Sequence, residues 1–318
     1  MLNIFLTILC YILEVRSYYA AVIDCGSTGT RLNIFHINNN RDKIVSSCSS
    51  AIDFPITKES TEYEIEKLFY TLFWDCSSYI SNAHVEITQI PISVMATGGI
   101  RILGIPTSLR IFKLIYRIIR KFGFRKKEIG MLDDKNEGFF ALKALKFLKG
   151  SNGNEKRLGI VEMGGASLQI AYDIYLHDLV HDNDIIYSPF DSNNFIYTKS
   201  FLGMGIVEAM KVKDLNKIFS ESPMPVPKVD ELYLLSFFYN ILKNIEIPSR
   251  ITFRALKEYI FIYCKSFKKS NCDELLYIIT VLEWLNISDS QVLVIKDSIN
   301  NHRISWTLGK ALSMKYFN

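Results

Sequence analysis

Two stretches of the chain, VIDCGSTGTRLNIF (22–35) and IVEMGGASLQIAY (160–172), are built on one plan. In each, an apolar strand reaches an acidic residue, Asp24 or Glu162, and a glycine-containing turn with hydroxyl side chains leads into a returning strand. The same unit therefore occurs twice. This duplication predicts two related domains, each opened by its own strand–turn–strand hairpin.

A glycine turn after a strand suits the binding of an anion. Glycine lets the backbone approach phosphate oxygens closely, and successive backbone N–H groups can then point at the negative charge. The predicted phosphate-binding groups, amides and hydroxyls, belong to residues Gly26, Ser27, Thr28 and Thr30 in the first turn and Gly164, Gly165 and Ala166 in the second. Taken singly, each turn is more typical of a hairpin that needs glycine for steric reasons. Because both turns follow an acid at the same offset, the pair together favours phosphate binding.

The two acids, Asp24 and Glu162, are the predicted metal-organising residues. Mg²⁺ and Ca²⁺ prefer carboxylate and water oxygens, and Mg²⁺ usually keeps several of its waters. We therefore predict that a hydrated Mg²⁺ or Ca²⁺ is held between them. A third acid, Glu137, lies in the first turn of a predicted helix, where it either orients and deprotonates a water or simply stabilises the helix.

Composition excludes several classes of protein. With 318 residues, 49% of them hydrophobic and 22% charged, the chain can bury a large core and is not intrinsically disordered. The net charge of +4 is too small to indicate nucleic-acid binding. The five histidines are scattered and no CxxC motif occurs, which argues against a zinc site.

The N-terminus carries the most membrane-like segment. Residues 2–13 are largely apolar but shorter than the roughly 20 residues that span a bilayer. We predict that residues 1–19 form a secretory signal; a short uncleaved anchor and a buried first strand are the alternatives. In an oxidising lumen, Cys264 and Cys272 are the best disulfide candidates, and Cys25 is predicted to be a free, buried thiol.

Periodicity places the remaining elements. It predicts a strand at 92–96, helices at 59–81, 108–122 and 136–149, a loop at 151–157, a Pro-rich loop at 220–228, and helices at 230–246, 252–265, 272–286, 289–299 and 303–316. The helix at 108–122 has a basic polar face. We interpret this face as a solvated outer surface, with membrane or nucleic-acid binding as the alternative.

Four ordered blocks resemble one known family. They are DCGSTGTR (24–31), ATGGIRIL (96–103), NEGFFALKALKFLKG (136–150) and VEMGGASLQI (161–170), with weaker matches at 197–209, 272–285 and 304–312. The chain is similar here to the apyrase superfamily, the nucleoside di- and triphosphate diphosphohydrolases. The turn GSTGTR and the segment SFLGMG (200–205) look most like the branch of endoplasmic reticulum and Golgi nucleoside diphosphatases.

The resemblance implies an α/β fold of the actin, Hsp70 and sugar-kinase type. Two RNase-H-like domains would face each other across a central nucleotide cleft. The implied domains are 20–135 with 300–318, and 136–299. The implied location is the lumen of the endoplasmic reticulum or Golgi, or secretion from the cell. A membrane partner is expected only if the N-terminal segment is an uncleaved anchor, and no nucleic-acid partner is expected.

The resemblance also implies roles for particular residues. Glu137 matches the catalytic base, and Thr97, Ser167 and Gln169 match the groups that position the attacking water. The reaction would be in-line attack of water on the terminal phosphate of a nucleoside diphosphate such as UDP or GDP, and possibly of a triphosphate. Nucleobase stacking is expected from a residue in the run Phe237, Phe238 and Tyr239, which suits a helix core equally well.

This sequence departs from the family pattern at the second acid, where Glu162 stands in place of the usual Asp. The extra methylene would move the carboxylate outward or change the metal shell. Four alternatives stay open: a secreted broad-specificity apyrase acting on ATP and ADP, an exopolyphosphatase-like enzyme, a sugar-kinase-like phosphotransferase, and an inactive lumenal nucleotide-binding relative.

Overall fold

The computed structural model describes residues 17–38, 43–150, 156–174, 185–187, 195–212, 219, 226, 228–266 and 272–317. The predicted signal segment lies outside these residues except for 17–19, which already belong to the first strand. Most of the predicted loops at 151–157 and 220–228 also lies outside them. The chain divides into two compact units, residues 1–132 with 307–318, and residues 133–306.

The first unit contains a five-stranded sheet covered by helices. Its strands are β1 (Ser17–Cys25), β2 (Thr30–Asn38), β3 (Lys43–Ile52), β4 (Ile92–Ala96) and β5 (Lys127–Met131). Its first four helices are α1 (Glu62–Asp75), α2 (Ser77–Asn82), α3 (Gly98–Arg101) and α4 (Ile105–Lys121). The strand order is β3-β2-β1-β4-β5; β1, β2 and β3 pair antiparallel, whereas β4 runs parallel to both β1 and β5.

The second unit repeats this plan with additional strands. Its helices are α5 (Asp134–Lys149), α6 (Ile206–Ala209), α7 (Phe237–Leu242), α8 (Phe253–Ser266) and α9 (Cys272–Trp284). Its main sheet contains β6 (Leu158–Met163), β7 (Ser167–Ile174), β8 (Ile185–Tyr187), β9 (Phe195–Leu202), β10 (Glu231–Ser236), β11 (Arg250–Thr252) and β12 (Val292–Ile295). A short hairpin joins β13 (Ser298–Ile299) to β14 (His302–Arg303). The helix α10 (Trp306–Ser313) then leads back to the first unit.

The central five strands of this second sheet follow the order β9-β7-β6-β10-β12. As in the first unit, a hairpin (β6–β7) is extended antiparallel by β9, and two strands pair in parallel on the other side. Each unit also has its own buried apolar cluster. The predicted α/β fold with two RNase-H-like units is confirmed.

Several helix predictions need correction. The segment 59–81 is two helices, α1 and α2, separated at Cys76. The stretches 230–246 and 289–299 are not single helices, because each contains a parallel strand, β10 and β12. Residues 232–235 are buried on both faces of the sheet, so their apolar run shows no alternation and periodicity cannot distinguish it from a buried helix.

The residues that the structure describes form two disulfides. Cys264–Cys272 links the end of α8 to the start of α9, as predicted. The sequence analysis did not identify Cys48–Cys76, which ties β3 to the residue that follows α1. Cys25 is buried and free. Within the described ranges, no helix is long and apolar enough to span a membrane.

Candidate active site

The first glycine turn connects β1 to β2 in the first unit. The last strand pair is Cys25 with Thr30, and the Gly26 amide donates to the Gly29 carbonyl at 3.0 Å. A Cβ atom on Gly29 would lie 2.5 Å from the Ile52 carbonyl oxygen, so only glycine fits there. The tight backbone of this turn therefore depends on its glycines.

The segment that follows β4 packs directly against this turn. The Thr97 amide donates to the Cys25 carbonyl at 3.4 Å, and the buried Thr97 is the residue immediately before α3. A Cβ atom on Gly99 would lie 2.6 Å from the Ser27 Cα atom. Gly99 was not among the predicted site residues, although its block was noticed. Glycine is needed at position 99 because the backbone of α3 contacts the backbone of the first turn at Ser27.

Asp24 lies beside the guanidinium group of Arg31, a residue to which the sequence analysis assigned no role. Asp24 and Arg31 are partners across the β1–β2 hairpin, and Arg31 Nη1 is 4.0 Å from Asp24 Oδ2. The same guanidinium donates to Thr28 Oγ1 at 3.4 Å. Arg31 therefore joins a predicted metal-organising acid to a predicted phosphate-binding hydroxyl.

One predicted phosphate contact is not supported. Thr30 is fully buried, and its hydroxyl donates to the Phe54 carbonyl at 3.2 Å. This hydroxyl lies in the interior of the first unit, because the alternation along β2 places Thr30 on the same buried side as Leu32 and Ile34. Thr30 is therefore removed from the candidate site.

The second glycine turn connects β6 to β7, and its carbonyl groups are all engaged. The Gly164 carbonyl accepts from the Ile206 amide at 3.0 Å, and the Ala166 carbonyl accepts from the Gly203 amide at 2.8 Å. The Gly165 carbonyl accepts from two amides at the start of α6, at 3.0 and 3.1 Å.

This arrangement fixes the direction of the turn's own amides. No peptide bond in the described chain is cis, and in a planar trans peptide the N–H points opposite to the preceding carbonyl. The amides of Gly165, Ala166 and Ser167 therefore point away from the 203–208 segment, on one side of the turn. Such a row of amides forms a concave site for an anion.

Gly205 packs against the second turn on the side opposite to the one its amides face. A Cβ atom on Gly205 would lie 2.4 Å from the backbone nitrogens of both Ala166 and Ser167. Gly205 is thus the counterpart of Gly99 in the first unit, and each brings a second backbone against a glycine turn. Its segment SFLGMG drew attention in the sequence, but periodicity carries no signal for such a contact.

Glu162 is buried one residue before the end of β6. Its Oε1 atom accepts a hydrogen bond of 2.8 Å from the hydroxyl of Ser236, at the end of β10. Its Oε2 atom is buried and has no hydrogen-bond partner within the part of the chain that the structure describes. Burial raises the pKa of this carboxyl, and the Ser236 hydrogen bond and the charge of Arg303 act in the opposite direction. A buried oxygen of this kind suits a cation or a water.

Ser236 occupies a strained backbone conformation. Its φ of +59° lies in the left-handed region, where a serine is uncommon, and α7 begins immediately after it. Backbone strain of this kind is retained where the surrounding structure requires it, often at functional sites. Ser236 is a site residue that sequence reasoning missed, because its partner Glu162 is 74 residues away.

Two further predicted residues, Ser167 and Gln169, are joined directly. Gln169 Nε2 donates to Ser167 Oγ at 2.6 Å and to Ser200 Oγ at 3.3 Å, and both predicted residues are buried. In the sheet, Gln169 is the Cα partner of Glu162 on one side and of Ser200 on the other. A polar row thus crosses β6, β7 and β9 beside the second turn.

Glu137 lies in the first turn of α5 and is buried. The helix is capped by Asp133, whose carboxylate accepts from the Lys135 amide at 3.0 Å. The next residue, Gly138, allows α5 to approach the sheet closely, because a Cβ atom there would lie 2.7 Å from Thr198 Oγ1. The carboxylate is therefore held near the positive end of the helix dipole.

The predicted nucleobase residues have different environments. Phe238 is fully buried in the core of the second unit, as the helix-core alternative expected, so it has no face available to a base. Phe237 and Tyr239 are partly buried against the same core, and Lys243 Nζ lies 5.1 Å from the Tyr239 ring centroid. The alternation arises because a short helix buries every third or fourth side chain.

Comparison with known proteins gives a consistent result. A family model described as the GDA1/CD39 (nucleoside phosphatase) family matches residues 12–228. Probable apyrase 2 of Oryza sativa subsp. japonica is 27% identical over 213 residues, which are 60% of this chain and 44% of that protein. Ectonucleoside triphosphate diphosphohydrolase 5 of Bos taurus is 24% identical over 231 residues, 65% of this chain and 51% of that protein. The chain spans about half the length of the curated relatives it matches.

Solved structures agree on the fold. The Ppx/GppA family member of Aquifex aeolicus superposes with a TM-score of 0.60 at 17% identity, covering 95% of this chain and 98% of that one. An exopolyphosphatase from Cytophaga hutchinsonii gives a TM-score of 0.56 at 15% identity, with 94% and 98% covered. At these identities the likeness concerns the fold.

Proposed function

Since the chain belongs to the GDA1/CD39 (nucleoside phosphatase) family, we propose that it hydrolyses the terminal phosphoanhydride bond of nucleoside diphosphates such as UDP and GDP, and of triphosphates at a lower rate. The observation that carries this proposal is the matched pair of hairpins. In both, four residues separate the last strand pair, and the acid occupies the preceding pair, Asp24 with Arg31 and Glu162 with Gln169.

The glycine turns would bind the phosphate chain. In the second unit, the amides of Gly165, Ala166 and Ser167 point to one side of the turn, which supports binding of phosphate oxygens without a basic side chain. In the first unit, Ser27 and Thr28 add hydroxyl donors near the Gly26 turn, and Arg31 adds a positive charge. The modest net charge of +4 is compatible with such a site, because amides and hydroxyls supply most of the contacts.

The carboxylates of Asp24 and Glu162 would organise Mg²⁺ or Ca²⁺. The buried Oε2 atom of Glu162 supports this assignment, since a hydrated cation would give that oxygen a partner. Among the described residues, no group of three or more His, Cys, Asp or Glu side chains is placed to hold a metal directly. The described residues therefore suit a metal ion that two acids hold through water molecules. When bound, the cation would neutralise charge that develops on the phosphate oxygens.

Glu137 would act as the general base. In the proposed step, the oxygen of a water attacks the terminal phosphorus in line with the leaving oxygen, the phosphorus–oxygen anhydride bond breaks, and the water proton passes to Glu137. Gln169 and Ser167 would hold that water, since their hydrogen bond of 2.6 Å fixes both side chains. Thr97, beside the first turn, is the fourth proposed contact. No covalent phosphoenzyme is proposed.

Recognition of the base and the place of action are further parts of the proposal. Phe237 and Tyr239 stay as candidates for stacking on a nucleobase, because their rings are partly exposed. The Cys48–Cys76 and Cys264–Cys272 disulfides support action in the lumen of the secretory pathway or outside the cell.

One assay tests the proposed function. Purified protein is given UDP, GDP, ADP, ATP or polyphosphate with Mg²⁺ or Ca²⁺, and released phosphate is measured. We expect the fastest release from nucleoside diphosphates and little without a divalent cation. Release from polyphosphate alone would favour an exopolyphosphatase, preference for ATP and ADP would favour a broad apyrase, and no release would indicate an inactive binding protein.

A matched pair of variants tests the base assignment. Glu137→Gln removes the proton acceptor and should lower kcat by about 10²-fold or more. Asp134→Asn changes an exposed acid in the same first turn of α5 and should leave kcat within about twofold, since its carboxylate has no assigned role in the reaction. Full activity of Glu137→Gln would show that another group accepts the proton.

A further inference from the structure

The helix α1 in the first unit exposes an unusual number of aromatic rings. Trp74 is 79% exposed, Tyr63 is 74% exposed, and Tyr70 is about half exposed. Their spacing of seven and four residues places them on one side of the helix, opposite the buried Leu68 and Leu72. Burial in the protein core does not explain this aromatic ridge (Tyr63, Tyr70 and Trp74).

The helix α4 has two apolar faces. Its core face contains Ile111, Ile115 and Ile118, all buried. A second set follows spacings of four, three and four residues: this apolar stripe consists of Ile105, Leu109, Phe112 and Tyr116, of which Phe112 is partly buried against the core. Ile105 is 76% exposed, and Leu109 and Tyr116 are about half exposed. The sequence analysis recognised the core face of this helix but not the second set.

The two helices pack side by side, so their exposed groups share one surface. Arg117 of α4 contacts Glu62 of α1 at 3.1 Å, and Lys121 contacts Glu66 at 2.7 Å. We call this surface the two-helix face; it comprises the aromatic ridge, the apolar stripe and the basic side chains of α4 between them. A shallow groove of about 670 Å³ continues it towards β5, lined by Leu109, Phe112, Lys113, Tyr116, Arg117 and Ile129.

The charge of α4 and of the turn that follows it has one sign. Residues 105–127 contain eight Lys and Arg and no Asp or Glu, although the whole chain has a net charge of only +4. Glu62 and Glu66 of α1 are already paired with Arg117 and Lys121. Lys113 and Arg120 are exposed and have no ion-pair partner among the described residues. Positive charge is therefore available at the centre of the face.

We propose that the two-helix face binds an anionic lipid surface, lying in the interfacial plane without spanning the bilayer. Exposed Tyr and Trp suit the boundary between headgroups and acyl chains, and basic side chains beside apolar ones suit anionic headgroups. The face is two helices wide, and packed helix axes lie about 8–10 Å apart. This breadth suits a surface better than a single acidic peptide, which would occupy the groove and leave the aromatic ridge in water.

Co-sedimentation with vesicles tests this proposal on the full chain. We expect binding to vesicles of phosphatidylcholine with phosphatidylserine, weaker binding at high salt, and little binding to phosphatidylcholine alone. Residues 1–16 are present in every protein compared, so any difference between variants reports the two-helix face. Equal binding to both vesicle types would overturn the proposal. Absence of vesicle binding would also overturn it and leave an acidic protein as the partner of the basic residues.

Matched variants locate the binding surface. Lys113→Glu with Arg120→Glu should lower partitioning onto anionic vesicles by about tenfold or more. Lys243→Glu with Lys296→Glu makes the same change in net charge at exposed positions of the second unit and should have a much smaller effect. Tyr63→Ser with Trp74→Ser should also weaken binding, while circular dichroism and nucleotide hydrolysis stay unchanged. Equal losses in the Lys113/Arg120 pair and the Lys243/Lys296 pair, or no loss in either, would contradict the assignment.

Discussion

The hydroxyl of Ser236 donates a hydrogen bond of 2.8 Å to Oε1 of Glu162, joining the ends of two neighbouring parallel strands, β10 and β6. This contact stabilises the ionised form of a buried carboxyl, because hydrogen bonds to a carboxylate oxygen favour the negative charge. The hydrogen bond uses Oε1 only, and the other carboxylate oxygen, Oε2, is the one that the proposed cation would use. We therefore expect Ser236 to control how readily Glu162 ionises and binds the proposed cation.

Ser236→Ala should make metal activation more sensitive to acid. Burial raises the pKa of Glu162, and the Ser236 hydrogen bond lowers it, so removing the hydroxyl should raise the pKa further. At a given pH below neutrality, a smaller fraction of Glu162 would then be ionised. The Mg²⁺ concentration for half-maximal activity, measured from pH 5 to pH 8, should rise more steeply towards low pH in the variant. Parallel curves for the two proteins would contradict this role.

Glu162→Asp should change the metal dependence. Asp is shorter by one methylene, so it cannot both keep its backbone position and accept the 2.8 Å hydrogen bond from Ser236. We expect higher activity or a different ratio of Mg²⁺ to Ca²⁺ activation, because the carboxylate would be drawn back towards the strand. The check is a titration of activity with each cation. Identical titration curves would show that the length of this side chain is harmless.

Gly205→Ala should damage the second turn. The added Cβ would lie 2.4 Å from the backbone of Ala166 and Ser167, which is a contact that proteins do not tolerate without movement. We expect a loss of stability of about 1–3 kcal/mol and a rise in KM for nucleotide, because the amides that would bind phosphate are displaced. Gly130→Ala is the matched control, since a Cβ atom added there would have no other atom within 4 Å. Similar effects of both substitutions would contradict the steric argument.

Much of the fold was predictable from the duplicated hairpins. The turn signals at 26–29 and 164–167 each mark a change of chain direction, and local sequence determines such turns. The strands β10 and β12 were missed because they are buried on both faces and carry no period-two pattern. The equally buried parallel strand β4 was predicted, and Thr97, Gly98 and Gly99 follow it directly. A buried parallel strand is therefore easier to identify where a glycine-containing turn marks its end.

The candidate site was predictable where residues are close in the chain. Ser167 and Gln169 lie two residues apart on one strand, and their hydrogen bond follows from strand geometry. Ser236 and Gly205 were missed because they reach the site through tertiary packing. Thr30 was misassigned because its hydroxyl type suggested phosphate, whereas its position at the start of β2 directs it to the Phe54 carbonyl. Residue type alone does not reveal which way a side chain points.

The Cys48–Cys76 disulfide should contribute measurably to stability. It closes a loop of 28 residues between β3 and the end of α1, and a crosslink of that length contributes about 3.5 kcal/mol in the chain-entropy account. Cys48→Ser with Cys76→Ser should lower the free energy of unfolding by about that amount. Cys264→Ser with Cys272→Ser removes the crosslink of a shorter loop, with a separation of 8, and should cost less. The reverse order in urea unfolding experiments would contradict the loop-length argument.

The buried acid Glu231 lies at the start of β10, at the opposite end of that strand from Ser236. Arg250 Nη1 donates to its Oε1 at 2.7 Å, Lys156 contacts the same atom at 3.3 Å, and Lys149 donates to Oε2. Although burial alone would raise the pKa of Glu231, the hydrogen bonds and charges of these cations lower it to about 2. The ionised form is therefore favoured in the folded state relative to the unfolded state.

Glu231→Gln should remove a pH-dependent part of the stability. Since the folded pKa of about 2 is below the ordinary 4.5, the contribution is fully present above about pH 4.5 and is lost as the pH falls towards 2. The wild-type protein should be more stable than the variant by about 2–3 kcal/mol at pH 7, and the difference should shrink through that window. Urea unfolding at pH 7, 4 and 3 measures it. Glu128→Gln, at a half-exposed acid paired with Lys310 at 2.8 Å, is the control and should change stability by under about 1 kcal/mol. A wild-type advantage that stays constant down to pH 3 would show that the cluster stabilises the fold through packing and not through the charge of Glu231.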